Sequence, residues 1–75
     1  MTNIEELKIS LIRNRMTASD LADALNISRA SLSYKMNNKR MFTVTEIAKI
    51  SEILNLSLVE KERIFFDNEV GEMST

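Results

Sequence analysis

The sequence predicts an all-α fold, arranged as one compact domain of five helices. Its 75 residues include a single glycine, no proline and only 5% aromatic residues, whereas sheet proteins need turn glycines and runs of β-branched or aromatic residues. No stretch alternates apolar and polar residues as a half-buried strand does. Five helix-start signals, each followed by apolar residues at helical spacing, set the number of helices.

The predicted helix starts are hydroxyl residues, most of them followed three positions later by an acid. The hydroxyl caps one backbone N–H of the first turn, while the acid caps another or interacts favourably with the helix dipole. A fifth start, Ser28, is an N-cap without the acid. The four pairs with the acid are Thr2/Glu5, Thr17/Asp20, Thr43/Glu46 and Ser57/Glu60.

The predicted helix ends are asparagines. Because glycine is nearly absent, asparagine is the residue best able to adopt the left-handed conformation that ends a helix. The five ends are Asn14, Asn26, Asn37 or Asn38, Asn55, and Asn68. The helices are therefore predicted at about 3–14, 18–25, 29–37, 44–54 and 58–67, in a domain of residues 1–70 with a flexible tail, 71–75.

Apolar residues at helical spacing predict the core-facing side of each helix. In chain order they are Ile4, Leu7, Leu11 and Ile12; Leu21, Ala22 and Leu25; Leu32 and Met36; Ile47, Ile50, Ile53 and Leu54; and Leu58, Val59, Ile64, Phe65 and Phe66.

The last helix carries more apolar residues than one narrow face can bury. Phe65 and Phe66 are adjacent and therefore point about 100° apart. We expect Leu58 and Phe65 to complete the core. The second face, made of Val59, Glu62 and Phe66, would then be an apolar patch with a charged rim that binds a protein partner. The alternative is that both rings belong to the core.

The second and third helices, joined by the short link 26–28, predict a helix-turn-helix over about 17–37. A helix of this girth fits the major groove of B-DNA, and its first residues reach base edges. Arg29, at the N-terminal tip of the third helix, is suited to donate two hydrogen bonds to guanine. The residues assigned to base reading are Arg29, Ala30, Ser31, Ser33 and Tyr34. The end of the third helix and the loop after it supply the residues assigned to DNA phosphates, which are Lys35, Asn37, Asn38, Lys39 and Arg40.

Charge is distributed unevenly, although the chain as a whole has a net charge of −1. Residues 1–12 have a net charge of −1, residues 13–40 have six cations against two acids (net +4), and residues 41–75 have three cations against seven acids (net −4). Charges more than roughly 8–10 Å apart are screened at physiological salt, so a DNA polyanion responds to the local field. The positive segment coincides with the predicted helix-turn-helix.

The stretch "MTASDLADALNISRASLSYKMNNKRMFTVTEIAKISEILNLS", residues 16–57, resembles the DNA-binding domain of lambda-repressor-like (Cro/CI type) phage and bacterial regulators. Leu21 and Ala22, the Ser28 cap and the buried position at Leu32 match the family pattern. Two positions differ: Asn26 stands where the family usually has glycine, and Ala18 where it often has glutamine. The resemblance implies a five-helix DNA-binding domain, and it extends the phosphate contacts to Thr17 and Ser19 at the start of the second helix.

Composition argues against several other functions. The chain has no cysteine and no histidine, so disulfides, thiol chemistry and the usual zinc or iron ligand sets are excluded. We predict no enzymatic activity, because a chain this short offers no sheltered pair of titratable groups for acid–base catalysis. No catalytic residue, metal, cofactor or small-molecule ligand is predicted. Without a signal peptide or a long apolar run, the expected location is the cytoplasm.

The predicted function is a sequence-specific DNA-binding transcriptional regulator of the Cro/CI-like kind found in phage or prophage switches, either a repressor or an activator. Its partners would be double-stranded operator DNA and either a second copy of itself or another regulator. The alternative is an antirepressor or co-regulator that has a helix-turn-helix body but acts mainly by binding another repressor protein.

Overall fold

The computed structural model describes residues 2–66, which contain five α-helices and no strand. The helices are α1 (Ile4–Arg13), α2 (Ala18–Leu25), α3 (Arg29–Met36), α4 (Val44–Ile53) and α5 (Leu58–Phe65). The predicted fold class and the order of the helices are therefore confirmed. The predicted tail, 71–75, and the predicted end at Asn68 lie outside the described residues.

Three of the four predicted capping boxes are present. At Thr17, Thr43 and Ser57 the side-chain hydroxyl accepts a hydrogen bond from the backbone N–H three residues later, and the acid there accepts one from the cap's own N–H. Ser28 caps α3 through the backbone N–H of Ser31. The box predicted at Thr2 is wrong, because α1 starts one residue later.

Asn3 is the N-cap of α1 and accepts from the backbone N–H of Glu6. The cap is Asn3 rather than Thr2 because Thr2 makes a contact with a residue distant in sequence. The side chain of Asn38 forms two hydrogen bonds with the backbone of Thr2, one to its N–H (2.8 Å) and one to its C=O (3.1 Å). Thr2 is thereby held outside the helix, against the loop that follows α3.

Left-handed residues end the helices largely as predicted. Asn26, Asn38 and Asn55 have φ values of 59°, 62° and 52°. After α1, however, it is Arg15 that is left-handed (φ 56°). Asn14 keeps a negative φ, and its side-chain amide donates to the C=O groups of Ser10 and Leu54.

The core lies where all five helices meet. Its central side chains are fully buried: Leu7, Leu21, Leu32, Ile50 and Ile64. Phe42, which sequence periodicity did not identify, is also buried and packs its ring edge-on against Phe65, with centroids 5.7 Å apart. Phe42 lies in the loop before α4, so a search of helix faces alone could not find it.

Four of the apolar residues assigned to the helix faces are exposed: Ile12 and Leu58, which were expected in the core, and Val59 and Phe66, which were expected on the second face of α5. Ile12 is 73% exposed, and the polar Ser10 is buried in its place at 7%. Helical geometry explains the exchange, because position 12 lies about 100° from Leu11, whereas position 10 lies one turn from Leu7 on the buried side. Leu58 is also 73% exposed, since α5 reaches the core only through its last turn, at Ile64 and Phe65.

Candidate nucleic-acid interface

The orientation of α3 follows from the turn before it and from its buried side. Asn26 is left-handed and donates its backbone N–H to Asp23, while Ile27 donates to the C=O of Ala22. This turn brings α3 across α2. Leu32 and Met36 then anchor α3 in the core, and the opposite side of the helix is left at the molecular surface.

The predicted base-reading residues lie on that surface. Arg29, Ala30, Ser33 and Tyr34 are exposed, and Ser31 is half-buried. Except for Arg29 and Tyr34, the side chains are small, so the backbone of α3 can approach another molecule closely. Arg29 occupies the first helical position and forms no ion pair with any residue from 2 to 66. Its guanidinium is therefore available to a ligand with paired acceptors.

The loop after α3 folds back onto the end of the helix. The backbone N–H groups of Lys39 and Arg40 both donate to the C=O of Tyr34, at 2.8 and 3.3 Å. This brings the guanidinium of Arg40 over the Tyr34 ring, 5.7 Å from its centroid. Such a cation–π contact restricts the side chain while its N–H donors stay free to bind an anion. Lys39 and Arg40 thus form a small basic site beside the exposed face of α3.

Three other predicted phosphate ligands have partners within the protein. The Lys35 ammonium lies 2.5 Å from a carboxylate oxygen of Glu46. The Asn37 amide donates to the C=O and hydroxyl of Ser33, and Asn38 binds the backbone of Thr2. Their polar groups stabilise the ends of α3 and α1, so of this group Lys39 and Arg40 are the better candidates for phosphate contacts.

The Lys35–Glu46 pair is well shielded from water, with side chains 11% and 15% exposed. Glu46 also completes the capping box of α4 by accepting from the N–H of Thr43. Burial alone would raise the pKa of Glu46. The hydrogen bonds and charge of Lys35, together with the hydrogen bonds of Thr43, outweigh that effect and lower the pKa. The carboxylate is therefore ionised at neutral pH and joins α3 to α4.

The start of α2 has the other predicted phosphate ligands, Thr17 and Ser19. The backbone N–H and hydroxyl oxygen of Thr17 are both used in its capping box with Asp20. The backbone hydrogen bond from Thr17, more than any other interaction, lowers the pKa of Asp20. A phosphate at this helix start would therefore approach an ionised carboxylate. Ser19 is half-buried.

A groove of about 220 Å³ runs between α1 and α3 beside the exposed face. On the α3 side it is lined by Arg29, Ser33 and Asn37, which form one row along the helix, and on the α1 side by Ile4 and Lys8. Lys8 is the one cation of residues 1–12, a segment whose net charge is −1. Its position next to Leu7 places it about 100° from the buried stripe, at the flank where another helix passes.

The predicted protein interface lies on α5. Val59, Glu62 and Phe66 are all exposed, and Phe66 retains 50% of its accessible surface. Phe66 is the C-cap of α5 and lines a second groove, of about 140 Å³, together with the highly exposed Met41. Phe65, in contrast, is buried, so the two adjacent rings are divided between surface and core as predicted.

None of the helices within residues 2–66 is both long and apolar enough to cross a membrane. In the same part of the chain, no cluster of three or more acidic, histidine or cysteine side chains is arranged to hold a metal ion.

Comparison with known proteins identifies one family. Residues 7–61 match the family model described as helix-turn-helix. The match spans more than half of the chain, from α1 into α5, and includes the whole of α2, the turn and α3. No curated protein and no solved structure matches the chain with statistical significance.

Proposed function

Because this chain belongs to the lambda-repressor-like (Cro/CI type) helix-turn-helix family of DNA-binding transcriptional regulators, we propose that it recognises a specific operator sequence through the exposed face of α3. The supporting observation is Arg29, which stands unpaired among residues 2–66 in the first turn of a helix whose other outward residues are mostly small. In the major groove such a helix brings its N-terminal residues to base edges.

The remaining contacts would be to the DNA backbone. Lys39 and Arg40 lie together in the loop after α3, and Arg40 is oriented by the ring of Tyr34. Contacts of this kind set the register of the protein on the duplex, while the base contacts determine the sequence preference. Because the whole chain has a net charge of −1, we expect weaker non-specific binding than that of a strongly basic DNA-binding protein.

The proposed biological role is repression in a regulatory switch of the phage or prophage kind. One helix-turn-helix covers only a half-site, and a single small module rarely buries enough surface for tight specific binding. The protein would therefore act as a symmetric pair on a palindromic operator, or in a complex with another regulator. Val59 and Phe66 of α5 are exposed and are not among the residues proposed to contact DNA. Their exposure supports a protein contact at this surface.

The test is selection of bound duplexes from a randomised DNA pool, followed by binding measurements with the selected and scrambled sequences. We expect an enriched motif, bound at least tenfold more tightly than its scrambled version, and a preference at one base pair that disappears in the Arg29→Ala variant. Enrichment of no motif, with equal binding to all duplexes, would contradict sequence-specific recognition.

The antirepressor alternative is favoured by the same exposed apolar residues of α5 and makes a different prediction. If the main partner is another repressor protein, selection yields no motif, and the protein instead releases that repressor from its operator. A gel shift with the DNA upstream of its own gene, with and without the neighbouring regulators, distinguishes the two functions.

A further inference from the structure

We propose that Lys8 of α1 contacts a DNA phosphate on the side of the major groove facing α1, in a position that neither its sequence context nor the family match assigns to DNA. The inference rests on the proposed function, since it assumes that the exposed face of α3 enters the major groove. The observation that supports it is the groove between α1 and α3, which Lys8 lines together with Arg29, Ser33 and Asn37.

Lys8 lies beside a row of α3 residues that borders the exposed face. Arg29, Ser33 and Asn37 follow one another at intervals of four residues and so form one edge of α3. Lys8 lines the same groove as these three residues. The Lys8 side chain is exposed, and none of the carboxylates within residues 2–66 lies within ion-pairing distance of its ammonium. The cation is therefore available to an anion supplied by another molecule.

The dimensions of DNA explain why a phosphate would lie near the Lys8 ammonium. The major groove is about 12 Å wide, and an α-helix with its side chains is about 10–12 Å in diameter. A helix lying in the groove fills it, so the elements flanking that helix meet the sugar-phosphate walls. On one flank of the exposed face of α3 lies α1 with Lys8; at the C-terminal end of α3 lies the loop with Lys39 and Arg40.

The assignment also changes which cations form the positive surface. Lys35, which sequence reasoning placed on a phosphate, is paired with Glu46 and largely shielded from water. Lys8, which lies in the net-negative segment 1–12, lines the same groove as Arg29. The cations without an ion partner among the described residues that surround the exposed face are therefore Lys8, Arg29, Lys39 and Arg40.

The experiment measures binding of a fluorescently labelled duplex of fixed sequence at several salt concentrations between roughly 50 and 200 mM. The variants are Lys8→Gln, Lys39→Gln and Lys49→Gln. Lys49 is the matched control, because it is exposed on α4 and its replacement changes the net charge by the same amount. Each lost phosphate contact lowers the slope of log Kobs against log salt by about 0.9. We expect this decrease for Lys8→Gln and no change for Lys49→Gln.

A slope for Lys8→Gln equal to that of Lys49→Gln, with Lys39→Gln still reduced, overturns the Lys8 contact and leaves the proposed function intact. Absence of salt-dependent duplex binding by the unmodified protein overturns both. A Lys8→Arg variant separates charge from fold: it keeps the cation, so it should retain the original slope. If Lys8→Arg loses as much slope as Lys8→Gln while both melt normally, the contact is not a phosphate contact of the kind proposed.

Discussion

The ammonium of Lys35 lies 2.5 Å from a carboxylate oxygen of Glu46, and this pair joins α3 to the first turn of α4. Glu46 simultaneously caps α4 through Thr43. One carboxylate therefore contributes to the start of α4 and to the orientation of α3. Both side chains are more than four-fifths shielded from water, so each compensates the burial of the other's charge.

Replacing Lys35 with Ala should destabilise the protein, because it leaves the Glu46 carboxylate partly buried without its cation. We expect a loss of about 1.5–3 kcal/mol in the free energy of unfolding, the range for hydrogen bonds to charged groups. Urea denaturation of Lys35→Ala measures it, with Lys49→Ala as the control on the exposed side of α4. Equal stability of the two variants would mean that the pair contributes nothing beyond an ordinary surface contact.

Acid should weaken the fold through the same carboxylate. The folded protein lowers the pKa of Glu46 below the value of 4.5 that is usual for a glutamate. Its contribution to stability is therefore present above about pH 4.5 and is lost as the pH falls through the lower, folded-state pKa. The pKa values of Asp20 and Glu60 are lowered as well, so they act in the same direction.

Urea denaturation between neutral pH and about pH 3 tests this expectation. The free energy of unfolding should decrease on acidification, and it should decrease less steeply in a Glu46→Gln variant, which has no proton to gain at that position. A Glu52→Gln variant, at an exposed position of the same helix, is the control and should follow the unmodified protein. Parallel pH profiles for all three proteins would contradict a role for Glu46.

Truncation of the core should be far more damaging than truncation of the surface. Leu32 and Ile50 are fully buried, and changing either to Ala should cost about 2–5 kcal/mol. A domain this small is expected near the low end of the usual range of about 5–15 kcal/mol, so much of either variant should be unfolded at physiological temperature. Ile12→Ala removes the same type of side chain from an exposed site. It should change the free energy of unfolding by no more than about 0.5 kcal/mol.

DNA binding should distinguish Arg29 from Lys39 by the kind of loss. Arg29→Ala should weaken binding to the preferred sequence by about 1–3 kcal/mol and relax the preference at one base pair. Lys39→Ala should weaken binding to all sequences similarly and reduce the salt dependence by about one unit. Titrations of preferred and scrambled duplexes at two salt concentrations make the comparison. If both substitutions scaled every affinity equally, Arg29 would not read a base.

The features predicted correctly from the sequence are those set by interactions three or four residues apart. The capping boxes at Thr17, Thr43 and Ser57 and the left-handed Asn26 follow from local backbone chemistry alone. The buried positions Leu32 and Ile50 follow from helical spacing in the same way. Such signals also define the helix-turn-helix, because α2, its turn and α3 are contiguous in the chain.

The errors arose where a distant contact overrides the local signal. The side chain of Asn38 holds Thr2 outside α1. The Lys35 ammonium, which was predicted to contact a DNA phosphate, instead pairs with Glu46. Phe42, in the loop before α4, is buried and packs against Phe65 of α5. Ile12 is a different case: it was grouped with the buried stripe, although it lies about 100° from Leu11 and about 140° from Leu7. Contacts between residues that are distant in the chain cannot be predicted from the spacing of residues within one helix.

The remaining prediction concerns the exposed face of α5, formed by Val59, Glu62 and Phe66. Phe66 is half exposed and lines a groove together with the exposed Met41, so a second copy of the chain or another regulator could bury both side chains. Phe66→Ser should abolish that association while changing the melting temperature little, because its ring contributes only part of its surface to the fold. Ile12→Ser is the matched control, as Ile12 is an exposed apolar residue of α1.

Sedimentation of the free protein, and of its mixtures with neighbouring regulators, gives the mass of each complex. Loss of the larger species in Phe66→Ser but not in Ile12→Ser supports the interface, and loss of tight operator binding in the same variant would link it to pairing on a palindrome. A collapse of the melting temperature in Phe66→Ser, with the unmodified protein monomeric in every mixture, would instead assign Phe66 to the support of Phe65 and the core. Since the ring of Phe65 is already buried against Phe42, the first outcome is the one we expect.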